Sequence, residues 1–93
     1  MLNCAFLEIM DTAPGGKFIR SIRRVAGSVP GVLEVEKCRA RKMGLDYYVD
    51  LHGGVDGSIS VNEGHDIAHQ VKAAIRQSDS RVADVLVHLE SAG

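Results

Sequence analysis

Apolar and polar residues alternate along Gly44 to His52, Gly-Leu-Asp-Tyr-Tyr-Val-Asp-Leu-His. Strand side chains point to opposite faces in turn, so Leu45, Tyr47, Val49 and Leu51 are expected on one face and Tyr48, Asp50 and His52 on the other. Val82 to Glu90 repeats the pattern, with Ala83, Val85, Val87 and Leu89 as the apolar file and Leu86, His88 and Glu90 opposite. An earlier strand is expected over Val32 to Lys42. There Leu33 and Val35 alternate before the pattern slips near Cys38, as at a bulge. A turn at Met43-Gly44 would make these first two strands an antiparallel hairpin, with Arg39, Arg41 and Lys42 near its tip.

Two other stretches have helical spacing. Phe18, Ile22, Val25 or Ala26, and Val29 recur on one stripe, with Lys17, Arg20, Arg23 and Arg24 around the rest. Asp11 or Thr12 can cap this helix, Pro14 is tolerated in its first turn, and Pro30-Gly31 stops it. Ser60-Val61-Asn62-Glu63 is a capping box that opens a second helix running to Gln77. Ile67, Val71, Ala74 and Ile75 form its apolar stripe, and Ser78-Asp79-Ser80 ends it. Gly53 to Ser58 reads as a glycine-rich loop whose glycines serve turning. Met1 to Met10, apolar with one charge, is expected to be an extension or linker ahead of a single domain over residues 11–93.

The order is helix, strand, strand, helix, strand. A strand-helix-strand crossover must be parallel and right-handed. The expected fold is therefore α+β: a three-stranded mixed sheet, the Leu45 strand in its middle, with both helices on one face. That is a ferredoxin-like two-layer sandwich in the order α-β-β-α-β, short of its first strand.

Composition narrows the function. A net charge of −1, few aromatics and no tryptophan over 93 residues give neither the basic footprint nor the stacking platforms of a nucleic-acid binder. No apolar run approaches the ~20 residues of a membrane span, and the N-terminus lacks the basic start of a signal peptide. Cys4 and Cys38 are too far apart for a CxxC motif, so two reduced thiols are expected, with Cys38 as an auxiliary metal ligand the alternative. Gly15-Gly16-Lys17 lacks the spacing and the hydroxyl of a phosphate loop. No nucleophile elbow, Cys/His pair or carboxylate pair suggests an enzyme.

All four histidines fall within the strand-helix-strand unit. In a parallel crossover the carboxyl ends of both strands and the amino end of the helix share one edge of the domain, which would gather His52, His88, Glu90 and His65. Imidazole and carboxylate suit zinc and neighbouring divalent transition metals. Asp50 and Asp56 are close enough in sequence to orient such ligands or add to them. His65 and His69 lie opposite Ile67 and Val71, so they are expected to face outward. A place near the start of the helix lets His65 fold back, whereas His69 would meet a second subunit or solvent, and as an i, i+4 pair the two can bind a metal weakly by themselves. Composition alone favours a plainer reading, with His52 and His88 as polar residues on a half-exposed sheet face and the helical pair as ordinary surface.

The chain resembles the cytoplasmic C-terminal domain of cation diffusion facilitator transporters. The resemblance runs from Met10 to Glu90. It is carried by Val29-Pro30-Gly31-Val32, Arg39-Ala40-Arg41-Lys42-Met43-Gly44, Tyr48-Val49-Asp50-Leu51-His52, Gly64-His65-Asp66-Ile67-Ala68 and Asp84-Val85-Leu86-Val87-His88-Leu89-Glu90. It implies a V-shaped homodimer whose arms close on divalent cations, coupling cytoplasmic metal level to transport. It also implies His52, His65, His88 and Glu90 as ligands, with zinc the expected ion and cadmium or others compatible. Aspartate is common in the family where Glu90 stands, which bears on whether two ions can be bridged. The membrane helices of such transporters are not in this stretch, so it is expected to regulate and not to transport, either as an excised domain or as a free-standing cytoplasmic relative. Two other readings stay open: a dimerisation or docking module with incidental histidines, and a small-molecule regulatory domain using the Gly53 to Ser58 loop.

Overall fold

The computed structural model describes residues 16–92. Helix α1 spans Gly16–Gly27, strand β1 Glu34–Met43, strand β2 Asp46–Val55, helix α2 Val61–Ser78 and strand β3 Val82–Ser91. The expected capping of α1 at Asp11 to Pro14, the linker at Met1 to Met10 and Cys4 lie outside the described residues. The sheet order is β1-β2-β3, with β1 and β2 antiparallel and β2 and β3 parallel. The expected ferredoxin-like α+β sandwich is what forms, with β2 central.

Its core lies between the helices and one sheet face. Ile19, Ile22 and Ala26 of α1 and Val71 and Ile75 of α2 meet Cys38, Ala40, Val49, Leu51, Val82 and Val85 of the strands. Ile19, outside the stripe expected from sequence, is wholly buried. Its place three residues before Ile22 and seven before Ala26 puts it on the same helical face. Ser60 caps α2 as its sequence predicts: its hydroxyl accepts from the Glu63 N–H while the Glu63 carboxylate accepts from the Ser60 N–H.

Four details differ from the sequence reading. Leu45 is 87% exposed because Gly44-Leu45 forms the hairpin turn, with Gly44 at φ +65°, and β2 starts only at Asp46. Gly53 and Gly54 are strand residues, paired with both neighbours, so the loop shrinks to the residues between Val55 and Val61. A Cβ at Gly54 would lie 2.8 Å from Glu34 Cγ and 2.9 Å from Ala92 Cβ. Glycine there marks the close approach of the Glu34 and Ala92 side chains and no phosphate cradle. In β3 the register shifts opposite Tyr47 and Tyr48, so Val82 takes the core position expected for Ala83. The β1 irregularity falls between Val35 and Lys37, just before the predicted slip, and leaves Glu36 as the extra residue.

Candidate metal centre

Because Val49 and Leu51 enter the core, Asp50 and His52 project from the opposite, helix-free face of β2. The parallel register with β3 then does the rest: His52 and His88 are direct partners, and Asp50 pairs with Leu86. The two imidazoles stack with ring centroids 4.5 Å apart and planes 23° from parallel. Asp50 Oδ1 lies 3.5 Å from His88 Nε2 and 4.0 Å from His52 Nε2. One donor atom from each of Asp50, His52 and His88 lies within 4.8 Å of the others.

Two ligand atoms at 2.0–2.1 Å from a common ion cannot be more than about 4.2 Å apart. The two Asp50 to imidazole distances satisfy that limit, and partial exposure of all three side chains leaves them room to adjust around an ion. One carboxylate with two neutral imidazoles is a donor set for a borderline divalent ion, leaving further coordination positions toward solvent.

The neighbouring rows of the same face set its electrostatics. On β1, Lys37 pairs with His52 and Arg39 with Asp50, and these four side chains line one shallow depression. Two cations therefore stand beside the cluster and oppose a bound cation. One row along, Glu34 and Glu90 flank Gly54, and Glu36 lies against both. Partial desolvation, followed by the contacts and charges of Glu90 and Glu34, holds the Glu36 carboxyl above its ordinary range.

His52 and His88 are thus brought together, with Asp50 as their carboxylate partner. Glu90 is on the same face beside Glu36, outside the group of three. His65 is on α2, in the layer beyond the sheet, because α2 packs on the core face from which His52 and His88 turn away. Its Nε2 lies 3.0 Å from His69 Nε2. Asp56 accepts from the Ser58 N–H and hydroxyl, first of these the N–H, which hold its carboxyl below the usual range, so it closes the turn after β2. The flanking positions of Lys37 and Arg39 follow from hairpin register, which residue spacing on one strand does not reveal. Among the described residues no helix is long and apolar enough to cross a membrane.

Comparison with known proteins agrees with this architecture. Residues 14–92 match the family described as "Cation efflux protein, cytoplasmic domain". "Metal tolerance protein 2" of Oryza sativa subsp. japonica is 34% identical over 85 residues, covering 91% of this chain and 22% of that protein. "Magnetosome protein MamM" of Paramagnetospirillum magneticum is 34% identical over 87 residues, covering 94% of this chain and 27% of that protein. The chain therefore spans about a quarter of the length of these relatives. Among solved structures, a manganese form of a MamM CTD variant superposes with a TM-score of 0.77 at 31% identity, covering 83% of this chain and 99% of that one. A cadmium form of another variant gives 0.78 at 31% identity, covering 83% and 98%. A family match over nearly the whole described sequence, joined to the same α-β-β-α-β sandwich, means that the chain belongs to the cytoplasmic domains of cation efflux proteins.

Proposed function

We propose that this domain binds a divalent transition-metal cation, zinc before cadmium or manganese, and that binding changes the arrangement of a homodimer and so regulates a cation efflux transporter. The role is regulatory and non-enzymatic, on the cytoplasmic side. The observation that carries the reading is the convergence of Asp50, His52 and His88 on the helix-free face of the sheet. Among the described residues no element covers that face, so an ion held there can also meet groups of a second copy. Glu90, two residues beyond His88 on the same face, is a further carboxylate donor. The manganese and cadmium forms of the MamM CTD support a divalent ligand for a domain of this shape.

Calorimetric titration of chelator-stripped protein with zinc and then cadmium tests the reading, beside the His52→Ala/His88→Ala double variant. Saturable binding by the native chain, lost in the variant and accompanied by a change in the dimer's small-angle scattering, is expected. Binding indifferent to both histidines would leave a dimerisation or docking module instead.

A further inference from the structure

We propose that the end of the domain built around the β1–β2 hairpin tip docks on an anionic bilayer surface, with Met43 and Leu45 entering the headgroup layer. Leu45 is 87% exposed and Met43 57%, in a tip that also carries exposed Arg41 and Lys42. Other basic side chains gather at this end. Lys42 Nζ lies 6.0 Å from the centroid of the Tyr47 ring, which is 4.5 Å from that of Phe18, and the Arg81 guanidinium stands over both rings. Phe18 belongs to the first turn of α1, which brings exposed Lys17 here too. Asp79 holds Arg81 at 2.7 Å and Asp46 stands in the tip opposite Met43, so the surplus of positive charge rests on Lys17, Arg41 and Lys42.

The other end of the domain has the opposite sign. Glu34, Glu36 and Glu90 lie there, where β1 starts and β3 ends, and Glu63 is in the first turn of α2, which follows the end of β2. The domain is thus polarised along its strands although its net charge is only −1. Leu33 and Val61, at the acidic end, are also largely exposed. Of the two ends, only the hairpin tip sets such residues among basic ones. That combination holds peripheral proteins on anionic membranes: headgroups attract the cations, by about fivefold in partitioning for each, and the apolar side chains bury at the acyl boundary. The cytoplasmic leaflet carries the complementary negative charge, and a cytoplasmic domain of a cation efflux protein has such a surface at hand.

The chain has no tryptophan, so Leu45→Trp puts a single fluorescent reporter at the tip and Val61→Trp puts one at the acidic end. Both are titrated, in chelator so that the metal centre plays no part, with vesicles of phosphatidylcholine and of phosphatidylcholine with about a quarter phosphatidylserine. A blue shift is expected for Leu45→Trp with the anionic vesicles only, and none for Val61→Trp. Adding Arg41→Gln/Lys42→Gln to Leu45→Trp should lower the apparent affinity at least about tenfold, and the binding should fade as salt rises. Tryptophan itself favours interfaces, so the native chain is also sedimented with the vesicles, where Leu45→Ser should lose at least about fivefold. All of these positions are exposed, and circular dichroism checks that the variants keep the fold. No response to anionic vesicles, an equal response to neutral ones, an equal shift at position 61, or binding indifferent to Arg41 and Lys42 overturns the proposal.

Discussion

His52 and His88 face each other across a parallel strand pair, their rings stacked at 4.5 Å with Asp50 reaching both. Asp50 is the only anionic donor of the three, so it should dominate the attraction for a cation. Asp50→Asn keeps the shape and removes the charge. Zinc affinity measured by calorimetry should fall by more than the ~10–100-fold typical of losing a supporting residue outside the ligand set. An unchanged affinity would remove Asp50 from the site.

Lys37 and Arg39 line the same depression as Asp50 and His52 and repel whatever cation those residues hold. Replacing Arg39 by Gln should therefore tighten zinc binding by roughly two- to tenfold at low salt, with the gain shrinking as ionic strength rises and exposed charges are screened. A weaker site in Arg39→Gln, measured in the same salt series, would instead make this guanidinium a support for Asp50.

These two predictions separate what the sequence reveals from what it hides. The alternation of Leu45 to His52 assigns Asp50 and His52 to one face, and the apolar stripes and Ser60 box locate both helices, because these signals are local. Whether His52 meets His88, His65 or Lys37 depends on strand register and on which sheet face the helices cover. The resemblance to efflux domains names His65 beside His52 and His88, yet within one chain the sheet layer separates them. The core position expected for Ala83 goes to Val82 for a similar reason, a one-residue shift against Tyr47 and Tyr48. A single bulge flips the faces of a strand, and nothing in the alternation of Val82 to Glu90 announces it.

The connection from α1 to β1 depends on Gly31, held at φ +96° with a would-be Cβ only 2.6 Å from Ile67 Cδ1. Gly31→Ala incurs the left-handed backbone penalty of about 1–2 kcal/mol and pushes on a side chain packed against the core. For a domain of this size, that backbone term alone should lower the midpoint of thermal unfolding by roughly 4–16 °C. Gly44→Ala serves as the control, since Gly44 has φ +65° but nothing within 4 Å of its would-be Cβ. It should lose less, and equal losses in both variants would mean that Ile67 yields without cost.

Acid stability follows from carboxylates whose folded forms are held below their usual range. The Lys72 ammonium, then the Val85 N–H, lower the Asp84 carboxyl, and the Arg81 side chain lowers that of Asp79. A depressed folded pKa contributes stability that is present above the unfolded value of about 3.9 and is lost as pH falls through the folded value. Glu36 has the opposite sign. Its raised carboxyl pKa favours the folded protein in acid, and that contribution is lost as pH rises through the folded value. Denaturant midpoints followed between about pH 2 and pH 6 should therefore drop on the acid side. Asp84→Asn should flatten that drop, because it removes one of the groups that must be protonated. In Glu36→Gln the drop should steepen, since the mutation removes the group that opposes it. If Asp84→Asn left the acid limb unchanged, the Lys72 to Asp84 pair would contribute nothing in solution, as many exposed ion pairs do.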